Sequence, residues 1–385
     1  MTFNNIKGQD HPACQYYINK GKKQQVALTK IWKDTGTYDP LDVTLVTQIT
    51  ASKLGTVSNL LNHWPGPVSC SIYISNDDIT DFPNFIKRFS IILNKDNLDI
   101  HLVYGGELLY PINFLRNIAL NNTYTQYVFL SDVDFMPSFG LYDYLQDFLQ
   151  RRSHLKNEVL VVPALEFTSP AGIKFPKDKG ELMYLWNKRI ITPTESLTHA
   201  TTDYNLWRTT KIPYRVKYSE NYEPYIVANR HIIPPYNTSF LYGFRDKISH
   251  LLQIHAMGLK FTVVPEHFTI HIPHRREKRL PFYQCSQFVY QDFQNELSRK
   301  YPRMRGFFKN KRNEASKTEK GTQKKATKTV NQNAKTKNTD QQLIPRDLLS
   351  ALSCKKEGKM LVCRSTPKEP NIKTKFNGIK QNSHN

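Results

Sequence analysis

The chain has 385 residues, 39% of them apolar and 12% aromatic, enough for a sizeable core and too many for whole-chain disorder. That length suits one domain of about 250–300 residues with appendages, or two ordinary domains. The 54 Lys+Arg against 33 Asp+Glu give a net charge of +21, but residues 306–385 hold 19 of the basic and only 6 of the acidic residues, so the charge argues against a nucleic-acid-binding role for the folded part.

Residues 1–41 are polar with scattered aromatics and read as an N-terminal extension. DVTLVTQIT (residues 42–50) is β-branched and apolar, the pattern of a first buried strand. A helical spacing follows through Leu54, Val57, Leu60 and Leu61. PGPVSCSIYIS is a second strand, ended by a turn at Asn76–Asp78. The spacing predicts a helix over Phe82–Leu93, a third strand in LDIHLVYG and a helix in YPINFLRNIALNN that opens with Pro111. QYVFLSDVDF is an apolar fourth strand running into acid. Strands separated by helices argue an α/β fold with a mostly parallel sheet.

Leu141–Arg152 reads as a helix and Asn157–Phe167 as a single further strand. Residues 169–235 are irregular and rich in Pro, Tyr and Trp, the mark of a substrate-side insertion. A helix stopped by Gly258, a final strand pair in KFTVVPEHFTIHIPH and a closing helix over Phe288–Tyr301 complete residues 42–305. From Gly306 the composition predicts a basic, largely disordered tail. Within it the apolar island LIPRDLLSALSC suits a transient helix, and the rest suits contact with an anionic surface or no specific partner at all.

The most informative motif is Asp132-Val133-Asp134 at the end of the fourth strand. On an extended strand these two carboxylates point the same way, at the strand end where open α/β sheets bind ligands. Such oxygens suit Mg²⁺ or Mn²⁺ bridging a diphosphate; the alternative is a plain polar strand end. His271 in TIHIPH is a candidate third ligand, with a core histidine as its alternative. His274 competes with it as a ligand or as a strand cap.

In order along the chain, YPINFLRNIAL, YVFLSDVDFMPSFGLYDYL, VLVVPALE, HATTDYNLW, YEPYIV and KISHLLQIHAMGLKFTVVPEHFTIHIPH together resemble the LARGE and β-1,4-glucuronyltransferase glycosyltransferase family, from about Asp42 to Tyr301. The resemblance implies a GT-A fold, a UDP-sugar donor, Mn²⁺ and inversion at the anomeric carbon. It also implies transfer of glucuronic acid to a xylose-containing glycan or glycoprotein, as on dystroglycan O-mannosyl chains. UDP-xylose and UDP-N-acetylglucosamine are the next donors, and a silent glycan-binding protein is the non-enzymatic alternative. By the resemblance, Asp132, Asp134 and His271 hold the metal, and His274 belongs to a paired form found in some members.

Asn113, Arg116 and Asn117 fall in the stretch expected to meet the donor, where an arginine suits a diphosphate or carboxylate or, alternatively, a structural ion pair. Lys247 is a further donor-binding candidate. His199, Asp203, Trp207 and Glu223 match the acceptor side; Trp207 or Tyr222 suits stacking on a sugar, with core packing as the alternative. Inverting transfer needs a base, for which Asp246 is the first candidate and Glu223 and Glu166 the alternatives. The chain departs from the family around Asp246, where the family has Asn and an additional Gly.

No run reaches the roughly 18 apolar residues of a membrane-spanning helix, and MTFNNIKGQDHP has no signal-peptide character. Read literally, this places the chain in the cytosol, whereas the resemblance implies a Golgi membrane or lumenal protein, of which this chain would be a fragment, a trimmed form or a non-Golgi form. Asn121-Asn122-Thr123 and Asn237-Thr238-Ser239 fit the glycosylation sequon, relevant only in a lumen. The five cysteines show no metal-site spacing and leave a disulfide or two open.

Overall fold

The computed structural model describes residues 12–22, 27–32, 39, 41–81, 84, 87, 97–106, 110–151, 155–169, 174–194, 196–241, 245–274, 283–309, 353–357 and 360–364. Most of the helix expected over residues 82–93 and most of the apolar island before Ser353 lie outside the described residues. Elsewhere the expected α/β architecture is present.

Its heart is four parallel strands, β5 (Tyr127–Leu130), β2 (Val43–Thr50), β3 (Val68–Ser75) and β4 (Leu98–Gly106), adjacent in that order. β7 (Glu158–Val162), β10 (Tyr214–Val216), β11 (Tyr225–Asn229) and β12 (Lys260–Val263) extend the sheet on the β5 side. β1 (Ala27–Trp32), β14 (Ser353–Glu357) and β15 (Met360–Arg364) extend it beyond β4. A second sheet holds β6 (Phe135–Pro137), β13 (Thr269–His271), β8 (Ala164–Phe167) and β9 (Ile191–Pro193), in that order.

Strand alternation builds two cores. Leu45, Phe129, Leu160 and Val227 face one of them, and their neighbours Val46, Val128, Val161 and Ile226 face the other. Helices cover both. They are α1 (Pro12–Lys22), α2 (Leu54–Leu61), α3 (Asn76–Thr80), α4 (Ile112–Asn121), α5 (Leu141–Arg151), α6 (Lys179–Asn187), α7 (Ser196–His199), α8 (Tyr204–Thr209), α9 (Asp246–Met257) and α10 (Tyr283–Lys300). In α2, Leu54, Val57 and Leu60 recur at helical spacing and are all buried.

Four local expectations need correction. The stretch read as one strand over 157–167 breaks at Pro163, which has no N–H to donate, so β7 joins the large sheet and β8 the small one. The last strand pair is divided in the same way, β12 in one sheet and β13 in the other. The aromatic insertion is not irregular, since it contributes three helices and three strands. Gly306 does not end the ordered part: a helical segment runs over residues 303–309, with Phe307 against the rings of Tyr218 and His255.

A disulfide joins Cys14 of α1 to Cys285 of α10 across 271 residues of sequence. Tyr17 lies beside it, and its hydroxyl accepts from the Leu241 backbone at 3.1 Å. The N-terminal extension is thereby fastened to the closing helix.

Candidate active site

The acidic motif does not lie on an extended strand. β5 stops at Leu130, and a turn closed by the Phe135 N–H donating to the Asp132 carbonyl (3.1 Å) leads into β6. Two carboxylates expected to point together therefore face different surroundings.

Asp132 faces cations. Its Oδ1 lies 3.0 Å from Arg116 Nη2 and its Oδ2 2.8 Å from Lys247 Nζ, while the Tyr225 hydroxyl donates to Oδ2 at 3.0 Å. Arg116 continues to Asp246 Oδ2 at 2.6 Å, and Lys247 to Glu223 Oε1 at 3.4 Å. Burial opposes ionisation of Asp132, but Lys247 and Arg116 outweigh it and hold the carboxyl well below the usual range. Burial would likewise lower Lys247, and Asp132 and Glu223 reverse it, so the ammonium is held charged. Glu223 goes the other way. Burial pushes its pKa up, with Asp246 and Asp132 adding to the rise and Lys247 opposing it.

Arg116 reaches this cluster because α4 buries it with Asn113 on the stripe that carries Leu115, Ala119 and Leu120. A helix that buries an arginine among apolar residues needs partners for it, and the turn and α9 provide them. Asn113 Nδ2 donates to the carbonyls of Asn237 (2.9 Å) and Asp246 (3.2 Å). Asn117 both donates to the Tyr236 carbonyl and accepts from the Tyr236 N–H, each at 2.8 Å. These two asparagines clasp the segment leading to Asp246 and Lys247. The remaining cavity, about 10 Å³ and bordered by Val46, Ser131, Tyr225 and Tyr236, is no larger than one water.

Asp134 faces imidazoles. Its Oδ2 lies 2.9 Å from His274 Nε2 and 3.8 Å from His271 Nε2. One ligand atom from each of the three residues falls within 4.8 Å of the others. The Ile272 N–H donates to the Asp134 carbonyl at 2.8 Å, and β13 pairs with β6 so that His271 is opposite Phe135. That register holds the turn against the histidine strand. Burial raises Asp134, but hydrogen bonds from His271 and His274 bring it down to about 2. Parallel pairing of β13 with β8 also sets His271 opposite Glu166.

The structure thus gathers Asp132, Arg116, Lys247, Glu223 and Asp246 into one network and Asp134, His271 and His274 into a neighbouring one. Asp132, expected to share a metal with Asp134, has both oxygens engaged by the first group. Tyr225 was missed by sequence reasoning; its position in YEPYIV, two residues beyond Glu223, was the available signal. His199 is buried, stacks on Tyr225 with centroids 6.2 Å apart, and is lowered to about 3 by burial and by Lys247. Trp207 and Tyr222 are fully buried, so the sugar-stacking role does not fit them. Trp207 Nε1 donates to the Val264 carbonyl (2.9 Å), and Tyr222 pairs with Thr202. Asp203 caps α8 from a left-handed conformation, φ 53°. It borders an open cavity of about 240 Å³ with Pro193, Ala200, Tyr204 and Asn205.

The family described as "glycosyl-transferase for dystroglycan" matches residues 42–108 and 103–302. The chain is 36% identical over 306 residues to the mouse (Mus musculus) "Xylosyl- and glucuronyltransferase LARGE2", covering 76% of this chain and 44% of that protein. Against human (Homo sapiens) LARGE2 it is 37% identical over 273 residues, covering 68% and 38%. Against human LARGE1 it is 32% identical over 277 residues, covering 68% and 36%. The chain therefore spans less than half the length of these curated relatives. Among solved structures, GalNAc-T7 with UDP, GalNAc and Mn²⁺ aligns at 12% identity and a TM-score of 0.42, covering 70% of this chain and 52% of that one. S. aureus TarS with UDP-GlcNAc aligns at 11% and 0.36, covering 62% and 60%.

Proposed function

The chain belongs to the dystroglycan-type glycosyltransferase family, and on that premise we propose that it transfers a sugar, glucuronic acid first among the candidates, from a UDP-sugar to a xylose-containing or related glycan, with Mn²⁺ and inversion. The observation that carries this reading is the Asp134–His271–His274 cluster beside a buried pocket rich in paired charges. One carboxylate and two imidazoles make a mixed oxygen and nitrogen donor set, which suits Mn²⁺ better than the all-oxygen preference of Mg²⁺. When bound, the ion would neutralise charge on the departing diphosphate.

The protein's own groups divide the remaining work. Arg116 and Lys247 hold Asp132 ionised and fixed, and Asn113 and Asn117 keep the Lys247 segment in place. For the base we assign Glu223 over Asp246. Asp246 is committed to Arg116 at 2.6 Å, whereas the Glu223 carboxyl is raised by burial towards the range in which a carboxylate accepts a proton effectively. It would take the acceptor hydroxyl proton as that oxygen attacks the anomeric carbon and the UDP bond breaks. The cavity beside Asp203 is the proposed acceptor side. An oxidising lumen such as the Golgi is the proposed location, supported by the Cys14–Cys285 disulfide.

The test is UDP release from a panel of UDP-sugars, with and without Mn²⁺ and a β-xyloside acceptor, beside Asp134→Asn. Release from UDP-glucuronic acid that requires Mn²⁺, acceptor and Asp134 is the expected result. Release from UDP-xylose or UDP-N-acetylglucosamine instead would move the donor. Mn²⁺-dependent UDP binding without transfer to any acceptor would replace the enzyme with a glycan-binding protein, and no UDP binding would overturn the reading.

A further inference from the structure

Cys14 and Cys285 are joined, and Cys70 is wholly buried. The two remaining cysteines lie in the tail, on strands β14 and β15, where antiparallel register makes Cys354 and Cys363 direct partners. The parity of that ladder is informative. Its closing pair is Glu357 with Met360, and only Gly358 and Lys359 separate them in sequence. A two-residue connection, here opening on Gly, closes on a pair that exchanges both backbone hydrogen bonds. Bonded and non-bonded pairs then alternate away from it. Lys356/Leu361 is non-bonded, Lys355/Val362 bonded, and Cys354/Cys363 non-bonded. Non-bonded partners have Cα atoms about 4.5 Å apart, inside the roughly 4.4–6.8 Å that a disulfide spans. Directly opposed residues also share one face of the ladder.

We propose that Cys354 and Cys363 form a cross-strand disulfide that locks the β14–β15 hairpin as a clasp on the outer edge of the large sheet. The reaction removes two protons and two electrons from the two thiols and forms the S–S bond. A small-molecule or protein disulfide accepts them by thiol exchange and leaves as two thiols. The Cys14–Cys285 bond is independent evidence that this fold matures where such acceptors are present.

The location gives the clasp a purpose. β15 pairs in parallel with β1 through Thr29/Leu361 and Lys30/Val362, and β1 follows α1, the helix tethered by Cys14. An isolated two-stranded hairpin is only marginally stable in water. A covalent cross-link removes alternative conformations from the unlocked hairpin, and so keeps it available to cover the β1 edge. This inference stands apart from the catalytic reading.

The experiment uses the full chain secreted from eukaryotic cells, alkylated in denaturant without reduction and digested with trypsin. The expected product is Asp347–Lys355 linked to Met360–Arg364, lost on reduction, with a monomer on a non-reducing gel and Cys70 as the one alkylated cysteine. Alkylated Cys354 and Cys363, linkage to other cysteines, or a disulfide-linked dimer would each overturn the proposal. A second measurement compares hydrogen exchange in wild type and the Cys354→Ser/Cys363→Ser double variant. Exchange about tenfold faster in β1, β14 and β15, with α9 unchanged, is expected; identical rates in those strands would remove the clasp role.

Discussion

Asp132 and Asp134 are two residues apart and chemically identical, yet the two sides of the turn have built opposite environments around them. Asp132 is enclosed by a guanidinium, an ammonium and a phenol. Asp134 meets two imidazoles whose nitrogens can bind a cation. Charge-paired groups hold one another in place, whereas a carboxylate set beside two imidazole nitrogens is a place for a cation to arrive. A motif of two acids thus specifies residue types, and the turn between them assigns the roles.

The comparison yields experiments of decreasing size. Asp134→Asn should lower Mn²⁺-dependent UDP release about 10³-fold or more, in line with the several kcal/mol a bound divalent ion contributes, with little change in melting temperature. If Asp132→Asn gives the same kinetic loss and the same unchanged melting, the division into two roles fails. Glu223→Gln should reduce kcat about 10²–10⁴-fold. In wild type, the rising limb of kcat/KM against pH should lie above the ordinary glutamate value of about 4.3, because burial raises this group. The limb should be absent in the variant; its persistence would return the role to Asp246 or Glu166.

Arg116→Met tests the other side through stability. It leaves Asp132 and Asp246 without their shared, 7%-exposed partner, and breaking such a buried pair costs about 3–5 kcal/mol. At about 2–4 °C per kcal/mol for a domain of this size, denaturation scans should show a drop of roughly 10 °C. A change below about 2 °C would mean the network is not structural. The smallest effect is on pH. Asp132 has a depressed folded pKa, so its stabilising contribution is complete above the unfolded value of about 3.9 and is lost as pH falls towards the folded one. Wild type should lose its melting-temperature advantage over Asp132→Asn below about pH 4; a constant difference down to about pH 2.5 would count against the ion pairs.

Much of this was legible because burial on both faces writes itself into composition. Val43–Thr47 and Tyr127–Leu130 are continuous apolar or β-branched runs, the pattern of strands covered on both sides. The turn through Val133 was hidden because SDVDF alternates polar and apolar residues as a half-buried strand does, with no Gly or Pro to mark a stop. Pro163 was a visible breaker given too little weight. The engagement of Asn113 and Asn117 with the 236–246 segment spans more than 115 residues, and no local pattern encodes a contact of that range. His274 stood in the sequence three residues beyond His271, and only the path of the chain after β13 decides that both rings meet Asp134.

The Cys14–Cys285 bond also sets an order in time. Its two halves are 271 residues apart, so at roughly 5–20 residues per second of synthesis the first cysteine waits about 15–50 s for its partner to be made. Cys70 is made after the first fifth of that interval, and for the remainder Cys14 is a thiol without its mate beside a second free thiol. A premature Cys14–Cys70 bond is therefore the earliest error this chain can make, and escape from it depends on disulfide exchange before Cys70 is sealed between β2 and β4.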